Sequence, residues 1–181
     1  MPQPDAIIAC ARGWLGTPYH HQGSVRGAGC DCLGLIRGVW RALYGPEPEV
    51  LPPYSRDWGN ATGSETLLSA ACRHLVALAC VGEARPGDVL VFRMRDKGVA
   101  KHAGILSALS DTLLALPRSA HLEGGGHLER DGSASRASGA LDGDDTATMI
   151  HAQEGLGVVE VPLGRWWRRR AVAAFRFPSL T

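Results

Sequence analysis

The chain lacks the marks of several whole classes of protein. No run of roughly 18 apolar residues occurs that could cross a bilayer, and Met1 to Cys10 has no basic stretch ahead of a long apolar one. Neither a membrane span nor a secretion signal is therefore expected. Neither sign of charge dominates. Lys and Arg number 19 against 18 Asp and Glu, a net charge of +1 that gives no support to bulk nucleic-acid binding. A disulfide framework is equally poorly supported, because the five cysteines are an odd number and nothing in the sequence directs the chain to an oxidising compartment. No internal repeat is visible. With 45% hydrophobic and 20% charged residues, the composition is that of an ordinary globular protein and not of a disordered, coiled-coil or fibrous one. A length of 181 residues suits a single domain. What is abundant is glycine, 23 residues, which implies many tight turns and at least one loose loop.

Apolar residues at Ile7, Ile8, Ala11, Trp14 and Leu15 follow the spacing of one helix face, and Gly16 and Pro18 end that helix. Gly16, Pro18, Gly23, Gly27 and Gly29 prevent a helix over 16–31. From Cys32 the stripe resumes at Leu35, Ile36, Val39, Trp40 and Leu43 and predicts a second helix ending at Gly45-Pro46. The stretch 46–63 is Pro-rich, aromatic and irregular. Leu67, Leu68, Ala71, Leu75 and Leu78 then predict a third helix with Ser64 as its N-cap. After the turn Pro86-Gly87-Asp88 the period changes. Short apolar runs at 89–92, 103–109, 148–152, 158–161 and 171–177 predict strands. Helices first and strands second imply an α+β domain, with N-terminal helices packed on one side of an antiparallel sheet. One segment does not fit. Pro117 to Asp145 is Gly-rich with almost no bulky apolar residues, so it reads as an insertion, either a functional lid or a passive loop.

The chemistry concentrates where the glycine-rich loop meets the second helix, at Gly29-Cys30-Asp31-Cys32. Asp31 is a good N-cap, which places Cys32 at the first helical position beside free backbone N–H groups and the positive end of the helix dipole. A thiol there is expected to ionise more easily than Cys30, and thiolate is the nucleophilic form. Two other readings stay open for this site. Cys32 could be a small buried hydrophobe, or Cys30 and Cys32 could bind a metal with His20 and His21. The Cys-x-Cys spacing, however, lacks the usual structural-zinc pattern. A nucleophilic cysteine needs a base, and the base needs an orienting partner. His102 opens one predicted strand and His151 lies in another. If those strands are neighbours, both imidazoles can line up against the helix bearing Cys32.

Leu15-Gly16-Thr17-Pro18-Tyr19, Gly29-x-Asp31-Cys32-x-Gly34-Leu35, Arg85-Pro86-Gly87-Asp88, His102-Ala103-Gly104-Ile105 and Ile150-His151-Ala152 resemble, in order, the landmarks of the NlpC-type cell-wall peptidases. The resemblance runs from about residue 5 to 177. It implies a papain-like cysteine peptidase that cuts the peptide stems of bacterial peptidoglycan, at the γ-D-glutamyl to diamino-acid bond, with no metal or other cofactor. By the same resemblance Cys32 matches the nucleophile, His102 the general base and His151 the residue orienting it. Tyr19 matches a residue assisting the oxyanion or positioning substrate, and Asp31 one that recognises the stem's free amine. The Cys32 N–H would serve the oxyanion hole. Alternatives on the same scaffold are an amidase or acyltransferase, and outside enzymes a structural tail protein without turnover.

Three departures stand out. Leu33 follows the nucleophile where the family usually has Ser, His102 and His151 are separated by the Gly-rich insertion, and no targeting signal or wall-binding repeat accompanies the domain. The last, with Asp31-Cys32-Leu33-Gly34-Leu35 and the ending Phe175-Arg176-Phe177-Pro178, resembles the branch carried by phage tails and gene-transfer agents. Partners would then be the stem peptide and tail proteins. The chain would be made in the cytoplasm, carried in a particle and active in the periplasm. Arg165-Trp166-Trp167-Arg168-Arg169-Arg170 is assigned no site role: its tryptophans are expected to pack beneath the last strand and its arginines to be solvated.

Overall fold

A computed structural model describes residues 2–55, 63–109 and 147–179. Helix α1 (Pro4–Arg12) is followed by a small hairpin, β1 (Ser24–Val25) and β2 (Gly29–Cys30), and then by α2 (Cys32–Tyr44) and α3 (Thr66–His74). Strands β3 (Val76–Ala77), β4 (Val89–Phe92), β5 (His102–Ala108), β6 (Thr148–Gln153) and β7 (Gly157–Pro162) follow. A one-turn helix α4 (Arg165–Arg168) leads into the final strand β8 (Ala171–Arg176). The six longer-range strands form an antiparallel sheet in the order β3-β8-β4-β5-β6-β7. This is the mixed helix and antiparallel-sheet architecture that the order of periodicities implied. The Gly-rich insertion at 117–145 lies outside the described residues.

Both faces of the sheet are covered, which is why β4 reads as an unbroken apolar run with all four residues buried. Val89 and Val91 face the three helices with Ala103, Ile105 and Ile150, where they meet Ile7, Leu35 and Val39. Leu90, Phe92, Leu106 and Met149 face the other way, into a smaller cluster with Leu163 and Trp167. The Pro86-Gly87-Asp88 turn does structural work. Asp88 is buried and takes a two-pronged hydrogen bond from Arg176, at 2.9 and 2.7 Å, that ties the start of β4 to the end of β8.

The structure corrects three local expectations. Helix α1 ends at Arg12, and Leu15 is exposed while Trp14 still enters the core. Ser64 does not cap α3. Glu65 takes the cap position without a side-chain cap bond, and its carboxylate accepts instead from Arg93 and from the Ala100 amide. The same helix stops at His74 because Val76 and Ala77 leave it to pair with β8 and satisfy that strand's edge.

Candidate active site

Asp31 organises the nucleophile end. Its Oδ1 accepts from the Gly34 amide at 2.8 Å and caps α2, while Oδ2 accepts from the Gln22 amide at 2.7 Å and the Tyr54 hydroxyl at 2.6 Å. Gln22 has a positive φ of 62°, and its turn is further pinned where Gln22 Nε2 donates to the Tyr54 carbonyl. His21 also meets that carbonyl, at 2.9 Å, and packs edge-on against the Tyr54 ring. Gly34 must be glycine, since a Cβ there would stand 1.8 Å from the Gly23 carbonyl oxygen. That close approach lets the loop fold against the helix start. Tyr19 runs alongside as a parallel bridge to Cys30, partly buried against the core. Cys30 itself is in the core, and burial pushes its thiol up to about 11.

The Cys32 sulfur lies against the first residues of β5. Its thiol donates to the Lys101 carbonyl at 3.8 Å, and the Ala103 amide points back at it, so its contacts bracket His102 along the chain. On the next strand, Ile150 pairs with Ile105, which sets His151 beside Gly104. An added Cβ on Gly104 would come 3.2 Å from the His151 Cβ. Glycine there opens the diagonal by which His102 reaches across, and His102 Nε2 lies 2.8 Å from His151 Nδ1. The expected neighbouring of the two strands is thus observed, with the insertion between them in sequence.

Two aromatic side chains enclose the pair. Phe92, paired with His102 across β4 and β5, has its ring centroid 6.0 Å away. Trp167 stacks on His102 with centroids 5.3 Å apart and meets His151 nearly at right angles at 4.9 Å. The histidines therefore occupy the sheet face opposite the helices, instead of lining up against α2, while the Cys32 sulfur meets the backbone on either side of His102. Sequence pattern gives Trp167 no site role and places Tyr54 in an irregular stretch. No local pattern distinguishes either from a packing residue.

The ionisation of Cys32 also departs from expectation. Helix-start amides from Cys32 and Leu33, with Ala103, do favour thiolate, but burial and the adjacent Asp31 carboxylate outweigh them and push the thiol up to about 12. Burial pulls His102 down to about 3, helped by His151, and His151 down to about 4. Burial thus works in one direction at all three groups, toward the uncharged thiol and the uncharged imidazoles. All five cysteines are free, and among the described residues no group of three or more His, Cys, Asp or Glu side chains converges as a metal site. Nor is any described helix long and apolar enough to cross a membrane.

A cysteine at a helix start, set against a strand that opens with a histidine bonded to a second polar residue, defines the class of papain-like cysteine enzymes. The NlpC/P60 family profile matches residues 16–176, and the chain belongs to that family, whose members are cysteine peptidases acting on peptidoglycan. The fold is similar to the NlpC/p60 domain of the peptidoglycan hydrolase SagA at 22% identity, covering 97% of this chain and 99% of that one with a TM-score of 0.53. It is also similar to an NlpC/P60 family protein from Bacillus cereus at 19% identity and a TM-score of 0.54, covering 97% of this chain but 40% of that one. A lipoprotein-like NLP/P60 protein from Staphylococcus aureus gives 18% identity and a TM-score of 0.50, with 42% of its length covered. Comparison with curated proteins gives no match.

Proposed function

We propose that the chain hydrolyses a stem-peptide amide of bacterial peptidoglycan with Cys32 as nucleophile, His102 as base and His151 as its orienting partner. The observation that carries this reading is the 2.8 Å His102–His151 contact, formed where the Cys32 sulfur meets the backbone of residues 101 and 103. His102 takes the thiol proton as sulfur attacks the carbonyl carbon. The oxyanion faces the amides at the start of α2, and the departing amine receives the proton from His102. Water then attacks the thioester, His102 again taking the proton, and frees the acid.

The bond we favour is the γ-D-glutamyl to diamino-acid link. Tyr19, bridged to Cys30 two residues before the nucleophile, suits substrate positioning. Asp31 has both oxygens engaged and is only 3% exposed, so it meets the stem's amine only if the Tyr54 hydroxyl yields its place on Oδ2. Delivery by a phage or gene-transfer-agent particle is supported by the likeness of 31–35 and 175–178 to that branch. A second reading, acyl transfer to an acceptor other than water, is favoured by a cavity of about 90 Å³ beside Leu33 and Ala103, walled by Trp40, Leu51, Leu67 and Leu75. Mass spectrometry of muropeptides after digestion decides. Cleavage within the stem by the native chain and none by Cys32→Ala supports the proposal. Intact stems, or equal activity of Cys32→Ala, overturns it.

A further inference from the structure

The small net charge of the chain conceals an uneven distribution. Residues 93–97 and 165–170 together hold seven of the 19 basic side chains and one of the 18 acidic ones, so the rest of the chain carries more acid than base. Far apart in sequence, the two segments meet at one end of the sheet. The Arg93 amide donates to the Arg170 carbonyl at 2.8 Å, and Phe92 pairs with Ala171 on one side and with His102 on the other. The basic surface therefore borders the strand end that carries His102, and Trp167, from the same segment as the arginines, stacks on that histidine.

Arg93 is paired with Glu65, and Asp96 is the acid within these segments. Arg95, Lys97, Arg165 and Arg169 are exposed, and none of the four forms an ion pair among the described residues. Arg170 donates to the Trp166 carbonyl, a neutral acceptor. Like charges held this close repel one another, and an anionic ligand that touches several of them relieves that repulsion. The ligand need not carry bases. Over the Trp166 ring the Arg170 guanidinium lies at 4.0 Å, and Trp167 meets it edge-on at 4.7 Å, so the surface offers charge without the open aromatic platform on which nucleobases stack. The proposed substrate supplies charge of the complementary sign. A glutamyl residue linked through its γ-carboxyl keeps its α-carboxylate free, and a peptidoglycan sheet therefore presents negative charge at stem after stem.

We propose that the surface formed by 93–97 and 165–170 binds the carboxylates of stems neighbouring the one in the active site, and so holds the enzyme on the peptidoglycan polymer. The inference rests on the peptidoglycan reading, but its test needs no turnover. The full chain carrying Cys32→Ala is pelleted with purified sacculi whose stems keep free carboxylates and from which attached anionic polymers have been stripped. Binding should weaken about tenfold between roughly 50 and 300 mM NaCl, and by at least as much when the stem carboxylates are converted to amides. The triple variant Arg95→Gln, Arg165→Gln, Arg169→Gln should lose about tenfold in affinity for the sacculi, since each exposed pair is worth little alone and the effects add across the surface. With Cys32 in place, the same three substitutions should leave kcat/KM on a soluble single-stem peptide unchanged. Binding that survives amidation or the triple substitution, tighter binding to double-stranded DNA than to sacculi, or no binding at all overturns the proposal. So does an equal loss on the soluble peptide, which would place the arginines in the active site itself. The amidation arm leaves the protein unaltered and decides the matter whether or not the triple variant folds. If sacculi are bound as stated and no stem is cut, the peptidase reading fails and this one stands.

Discussion

Around Cys32 the orienting contacts are hydrogen bonds from main-chain amides and hydroxyls to a carboxylate, whereas around His102 and His151 they are the faces and edges of Phe92 and Trp167. The difference has a physical logic. A nucleophile must be aimed, and a charged cap bonded in several directions fixes a helix start and its loop in one geometry. A base must remain unprotonated and dry, and aromatic walls remove the water that would stabilise an imidazolium. One half of the site is therefore fixed by direction and the other by exclusion.

The sharpest way to break this contrast is to alter each half and ask whether chemistry or folding suffers. On the histidine side, His102→Ala should lower kcat/KM on stem peptides by at least about 10³-fold. His151→Gln, which keeps a polar atom for the ring, should lose about tenfold. Equal losses would mean that His151 does more than orient. On the Asp31 side the damage should appear in stability. Asp31→Ala removes the α2 cap and the acceptor of the Gln22 amide and Tyr54 hydroxyl, a loss of about 4 kcal/mol readable by urea unfolding. Undiminished stability with lost activity would move Asp31 from scaffold to substrate recognition.

Acid should separate the halves further. His151 is pulled down to about 4 and His102 to about 3, so below the unfolded value of about 6.5 protons bind the unfolded chain first. Stability should accordingly fall as pH drops through 6 toward 4, His151 alone contributing about 3 kcal/mol, and His151→Gln should flatten that slope. For the same reason kcat/KM should stay level across neutral pH, with its acid limb nearer 4 than 6.5. A limb at 6.5 would show that the aromatic walls do not keep the pair dry. The smallest effect belongs to Tyr54→Phe, which deletes one hydrogen bond at Asp31 and should lower stability by about 1 kcal/mol, measurable as a small fall in Tm.

Much of this was legible in the sequence. The cap at Asp31, the helix from Cys32 and the five strands follow from spacing that acts within a turn or a pleat, and their order along the chain carried the resemblance to the NlpC type. The positions of His102 and His151 were readable as strand residues, and their pairing followed once β5 and β6 were neighbours. The end of α3 was not readable, because the edge of β8 took Val76 and Ala77 from a helix whose stripe continued to Leu78.

By itself the sequence determined where α1 and α2 begin and where five of the strands lie, which cysteine heads a helix and which histidines open or occupy strands, since capping and periodicity act over a few residues. Only the tertiary structure decided how these groups ionise and what touches them. The helix start alone favours an acidic thiol at Cys32, yet the thiol is raised, because the backbone at Lys101 and Ala103 closes over the sulfur and Asp31 sits beside it. Trp167 reaches His102 only because α4 folds onto the far face of the sheet. Desolvation and ring contacts depend on which distant segments cover a group, and no pattern along the chain encodes that.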